Sequence, residues 1–123
     1  MTEVVNKESI ELRFGSWGPG YLLKGKQAAY GIVTLRSGDE FANHYHERHE
    51  ETFFVLEGRF ELWLDRSERL ELQTGDLVRC PAGVQHYLRN VTNENASALF
   101  VKAPNEEFDK IDLQWSPLDV AKQ

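Results

Sequence analysis

From Ala28 to Lys102 the chain is a succession of short β-branched and aromatic runs, and nowhere does it show the apolar period of a long helix. The runs are Ala28 to Leu35, Glu40 to His46, Thr52 to Glu57, Arg59 to Leu64, Arg69 to Leu72, Leu77 to Cys80, His86 to Asn90 and Ala96 to Lys102. Between them lie Ser37-Gly38-Asp39, Glu57-Gly58, Asp65-Arg66-Ser67, Thr74-Gly75-Asp76, Pro81-Ala82-Gly83 and Asn93-Glu94-Asn95, all rich in residues that tolerate turns. Strands so evenly spaced predict an all-β sandwich or barrel. The stretch holding Gly15, Gly18, Pro19, Gly20 and Gly25 is too glycine-rich for a packed element and reads as a loop or edge strand across the barrel. With 123 residues, the size of one ordinary domain, the expectation is a single domain over 1–123. Its core spans 28–102, with an N-terminal segment over 1–27 and a C-terminal tail over 103–123.

An apolar fraction of 41% beside 28% charged residues belongs to a globular protein, and no run approaches the ~18 apolar residues of a membrane span. Met1 to Lys7 lacks a basic region leading into an apolar stretch, so the expected location is the cytoplasm. Cys80 stands alone, which rules out an internal disulfide and a multi-cysteine zinc cluster. The formal charge of −6, with basic residues scattered singly, argues against nucleic acid. It does not exclude an anionic small ligand near a metal.

The chemistry concentrates in two places. His44 and His46 are two apart, so on a strand their imidazoles share one face. Glu51 offers a hard oxygen from the next strand and His86 a third nitrogen from a distant one, a donor set suited to a divalent ion. His49 and Glu50 are the competing candidates. His49 falls in the connecting loop and reads as a rim residue, while Glu50 projects opposite to Glu51. With Glu51 inward, Phe53 and Val55 also point inward and Thr52, Phe54 and Leu56 point out. That outer face is too apolar for open water, which predicts a homodimer; cover by the second sheet or the N-terminal segment is the alternative.

These residues resemble the two motifs of the cupins, small β-barrel proteins. The first asks for Gly, five residues, His-x-His, three or four residues, Glu, six residues, Gly, and is matched by Gly38, His44, His46, Glu51 and Gly58. The second asks for Gly, five residues, Pro-x-Gly, two residues, His, three residues, Asn, and is matched by Gly75, Pro81, Gly83, His86 and Asn90. The resemblance implies a jelly-roll barrel, or double-stranded β-helix. It also implies one divalent transition metal (iron, manganese, nickel, cobalt or zinc) on His44, His46, Glu51 and His86. Gly58 is expected at a tight strand turn, Pro81 and Gly83 at the bend delivering His86, and Asn90 in a structural role.

Four ligands leave coordination positions open, which fits an enzyme acting on a small polar substrate that chelates through two oxygens: a dioxygenase, isomerase or lyase. The competing reading is a non-enzymatic module that binds a small ligand or senses the metal. Tyr30, Phe41, Phe53, Gln85 and Leu88 are the pocket candidates, each also explicable as barrel core. Tyr21 is the candidate lid or proton donor at the mouth.

Overall fold

The period-two patterning is realised as ten strands, in a computed structural model that describes residues 3–106 and 109–117. They are β1 (Gly18–Lys24), β2 (Ala29–Leu35), β3 (Glu40–His46), β4 (Glu50–Glu57), β5 (Arg59–Leu64), β6 (Glu68–Gln73), β7 (Leu77–Cys80), β8 (His86–Arg89), β9 (Ala96–Ala103) and β10 (Lys110–Asp112). Two antiparallel sheets of five strands result, ordered β1-β2-β9-β4-β7 and β10-β3-β8-β5-β6. The barrel interior is filled from both by Leu35, Phe53, Val55, Leu62, Leu88 and Phe100, each at most 3% exposed. Among the described residues no helix is long and apolar enough to cross a membrane.

Alternation on β4 runs as expected. Glu51, Phe53 and Val55 are buried, whereas Phe54 and Leu56 are each 38% exposed on the outer face. Among the described residues, neither the second sheet nor the N-terminal segment buries them. The same face carries Tyr30 from β2 and Leu77 from β7, 41% and 69% exposed, and in the ladder Phe54 pairs with both Leu99 and Leu77.

Strands also form on both sides of the 28–102 core. The glycine-rich segment takes the edge-strand alternative: β1 ends the first sheet and pairs along β2 with one irregularity between Tyr21 and Leu23. It approaches so closely that a Cβ at Gly31 of β2 would collide with the Gly20 carbonyl oxygen and the Phe100 ring. Glycine there permits the close approach rather than preventing a packed strand. The tail contributes β10, which pairs with β3 so that Lys110 faces His46 and Asp112 faces His44 in the register. Beyond it, Trp115 packs edgewise on Trp63 and Tyr87, with ring centroids 5.8 and 6.0 Å away, over the outer face of the second sheet.

Candidate metal centre

His44 and His46 lie on the inner face of β3, and β8 runs beside it with His44 and His86 in direct register. Glu51 reaches them from β4 in the opposite sheet. All four side chains are buried, between 1% and 3% exposed. One donor atom from each can be chosen so that the four lie within 4.8 Å of one another. The turn before β8 is held in place because Gly83, in the left-handed region at φ +83°, donates its N–H to the His46 carbonyl at 2.7 Å.

Glu51 Oε1 is the focus. The Nε2 atoms of His86, His46 and His44 stand 2.9, 3.2 and 3.7 Å from it. The far sides of two of these rings are anchored to backbone: His44 Nδ1 lies 2.7 Å from the Ala42 carbonyl oxygen and His86 Nδ1 3.2 Å from that of Val84. A carbonyl only accepts, so Nδ1 carries the proton and a neutral ring turns a bare Nε2 lone pair inward. Burial drives His44 down to about 4, which keeps its ring neutral at pH 7. Glu51 is the opposite case: burial alone would raise it, but the three imidazoles around it hold it well below the ordinary carboxylate range. Bare lone pairs facing a carboxylate oxygen repel unless a cation lies between them. Three imidazoles and one carboxylate so disposed therefore fit a divalent transition metal.

His49 departs from expectation. It is not on the rim but 3% exposed, with its ring centroid 3.9 Å from that of His46. The cause lies far along the chain. Asp109 accepts backbone N–H bonds from Glu47, Arg48 and His49 at 3.0 to 3.2 Å, folding the loop inward over the barrel. Its Oδ2 is 3.5 Å from His49 Nδ1, and among the described residues neither His49 ring nitrogen has a hydrogen-bond partner. His46, His49 and Asp109 thus form a second buried group of potential donors beside the first.

A small cavity of about 30 Å³ abuts Glu51, walled by Phe41, Phe53, Leu88 and Phe100. It shares Arg13, Tyr21, Lys102 and Lys110 with the lining of an outer chamber of about 360 Å³ that His46 and His49 also line. A larger surface depression, about 580 Å³ beside Gly58 and Thr92, contains no histidine and lies apart from this chemistry.

Of the pocket candidates, Phe41, Phe53 and Leu88 line the inner cavity. Tyr30 does not: alternation on β2 turns it to the outer surface, opposite in sense to Val33. Gln85 is also displaced, because its Oε1 accepts from Asn43 Nδ2 at 3.1 Å and Arg66 Nε at 2.9 Å, outside the cavity lining. Tyr21 sits at the mouth on strand β1 rather than in a loop, its Oη accepting from Lys102 Nζ at 2.8 Å. Cys80 is buried and its thiol is pushed up to about 12 by burial, leaving it an inert apolar filler. Asn90, wholly buried, donates to the Leu35 and Glu94 carbonyls and accepts from Thr92, a structural tie away from the donors.

Arg13, Lys24, Lys102, Lys110 and Asp109 also line the chamber, and sequence reasoning passed over them. One signal existed for Lys102: alternation with Ala98 and Phe100 sends a charged side chain toward the barrel interior.

The family model described as the cupin domain matches residues 31–102. The chain is 44% identical over 52 residues to quercetin 2,3-dioxygenase of Bacillus subtilis, covering 42% of this chain and 15% of that protein. It is 35% identical over 74 residues to the polyketide synthase CurC of Streptomyces cyaneus, covering 60% and 47%. It therefore spans less than half the length of either relative. Among solved structures, a Klebsiella pneumoniae protein with a double-stranded β-helix domain superposes with a TM-score of 0.80 at 19% identity, over 94% of this chain and 100% of the other.

Proposed function

This chain belongs to the cupin domain family, and on that premise we propose that it is a metal-dependent enzyme holding one divalent transition metal on His44, His46, Glu51 and His86. The observation that carries the reading is the convergence of three imidazole Nε2 atoms on Glu51 Oε1, with all four side chains buried. When bound, such an ion supplies Lewis-acid polarisation of a chelating substrate or, if iron, a place for dioxygen. The chain's own residues do the rest. The Ala42 and Val84 carbonyls fix the ring orientations, and the Glu51 charge offsets part of the cation's. Phe41, Phe53 and Leu88 supply the apolar part of the inner cavity's wall. Tyr21 accepts from Lys102, which leaves its own O–H free to donate to a ligand entering the mouth.

The substrate class is a small polar molecule that chelates through two oxygens, and the reaction is of dioxygenase, isomerase or lyase type. Support for the first comes from the local likeness to quercetin 2,3-dioxygenase. The proposed assembly is a homodimer in the cytoplasm, with the apolar outer face of β4, β7 and β9 covered by a second copy. Elemental analysis of protein purified without added metal, then aerobic and anaerobic assays against α-keto acids, catechols and aldoses, tests the enzymatic reading. Turnover dependent on the bound metal supports it. Metal-loaded protein that binds a ligand tightly and turns over none of these classes would favour a binding module instead.

A further inference from the structure

Basic residues scattered singly along the sequence gather at one opening of the fold. Arg13 before β1, Lys24 on β1, Lys102 on β9 and Lys110 on β10 all line the outer chamber, in a chain whose formal charge is −6. The acidic residues in the same lining are Glu106 and Asp109. Both oxygens of Asp109 already accept backbone N–H groups of the 47–49 loop, and Glu106 lies 4.0 Å from Arg48. Among the described residues, Arg13, Lys24 and Lys102 have no carboxylate within ion-pair distance; Lys110 meets Asp112 at 3.1 Å.

Lys102 is the most constrained of them. Its ammonium lies over the Tyr21 and Phe100 rings, 5.3 and 5.5 Å from their centroids, and donates to Tyr21 Oη, so it is held at the entrance to the inner cavity. Arg13, Lys102 and Lys110 line that inner cavity as well, beside Glu51. His49 supplies an independent observation. It is 3% exposed, it lines the chamber, and among the described residues neither ring nitrogen has a hydrogen-bond partner, Asp109 Oδ2 standing 3.5 Å from Nδ1. Buried polar atoms left unpaired are costly, and a ligand in the chamber would satisfy them.

We propose that this chamber is an oxyanion-binding subsite for a small organic acid, bound by Arg13 and Lys102 with His49 completing the hydrogen bonding. Resting on the metal reading above, the inference extends to the substrate: its oxyanion, a carboxylate or a phosphate ester, is separate from the two oxygens that meet the metal. The outer chamber of about 360 Å³, with Tyr21 on its wall, has room for the carbon framework between them, and the convergent cations draw the anion in against the protein's overall negative charge.

The test follows backbone amide shifts of isotope-labelled protein, metal-stripped and metal-loaded, during titration with succinate, inorganic phosphate and neutral succinamide. Succinate or phosphate should shift the Tyr21, His49 and Lys102 amides saturably, and whichever binds more tightly identifies the oxyanion. Succinamide should bind at least about tenfold more weakly, the loss of one charged hydrogen bond. R13Q and R13Q/K102Q should each weaken the anion by a similar factor or more, while K26Q should not. Should the double variant fail to fold, R13Q alone decides, since Arg13 is exposed. No saturable shift, an equal response to succinamide, or unchanged affinity in R13Q would overturn the proposal. Anion binding by protein that takes up no metal would sink the metal reading alone; metal uptake without an anion response would sink this one alone.

Discussion

His86 Nε2 lies 2.9 Å from Glu51 Oε1 while Nδ1 of the same ring faces the Val84 carbonyl oxygen at 3.2 Å, so one imidazole meets acceptors at both nitrogens. A neutral ring has one proton and cannot satisfy both. The same conflict arises at His44, whose Nδ1 and Nε2 face Ala42 O and Glu51 Oε1. A cation at the focus removes both conflicts at once, which makes metal content the most discriminating property of this fold.

His44→Ala and His86→Ala should each lose most of the bound metal by elemental analysis, yet remain folded, because the barrel has its own apolar core. His49→Ala should keep its metal: its ring packs on His46, but its nitrogens make no hydrogen bond to Glu51, and it groups with Asp109 rather than with the Glu51 donors. Full metal retention in both of the first two variants would refute the ligand assignment, and loss in the third would move it toward Asp109.

Metal-free protein should be acid-labile over a definite window. His44 and His49 are both pushed down to about 4, chiefly by burial, whereas in the unfolded chain each titrates near 6.5. Between these values the unfolded chain binds protons that the folded one does not. The stability is therefore complete above pH ~6.5 and declines as pH falls toward ~4, at up to about 1.4 kcal/mol per pH unit per histidine. Glu51, held well below the usual carboxylate range, extends the decline to still lower pH. Thermal midpoints of the metal-free protein across pH 7.5 to 4.5 measure this, and a flat profile would contradict it. His49→Gln should give a shallower slope.

Strand boundaries were legible wherever a local apolar pattern ended in turn residues, so β3, β5 and β7 begin and end where the sequence places them. The grouping of His44, His46, Glu51 and His86 was legible for the same reason, since strand alternation determines which side chains face inward. What escaped was created by distant pairing. Lys110–Asp112 has no apolar run of its own and is a strand because β3 offers it an edge. The inward turn of His49 is imposed by Asp109, sixty residues away, and the basic cluster joins residues from both ends of the chain. Tyr30 was misplaced for a simpler reason: an aromatic residue on a β-strand does not announce which face it occupies unless a neighbour fixes the register.

Asn90 should be a determinant of stability and not of metal binding. Its amide donates to the Leu35 and Glu94 carbonyls at 2.9 and 2.6 Å, and its Oδ1 accepts from the Thr92 amide and hydroxyl at 2.9 and 2.7 Å. Asn90→Ala leaves several of these groups buried and unpaired, costing about 1–3 kcal/mol for each one that stays dry. Urea unfolding should show the loss, with metal stoichiometry unchanged in the folded protein.

Glu61 anchors the other face of the second sheet. Burial alone would raise its carboxyl, but the Trp63 indole N–H at 2.7 Å and Arg89 Nε at 2.7 Å outweigh that and lower it. Glu61→Ala would strand Arg89, itself largely covered, and removing one partner of a buried pair typically costs about 3–5 kcal/mol. Because Arg69 remains partly in solvent, the lower end is expected. A change within ~0.5 kcal/mol of wild type would mean that the network is solvated in solution.

The outer face of β4 makes the last prediction. Phe54 and Leu56 stay 38% exposed, Leu77 69% and Tyr30 41%, and these side chains share one side of a single sheet. If a second copy covers this face, burying a charge there without a partner should disrupt association. Phe54→Glu together with Leu77→Glu should shift the protein from dimer to monomer by light scattering at micromolar concentration, without loss of β content. Metal stoichiometry should be unaffected, because Phe54 points away from the side of β4 that carries Glu51. A wild-type protein that is monomeric under the same conditions would sink the dimer, and a double variant that remains dimeric would place the interface on another surface.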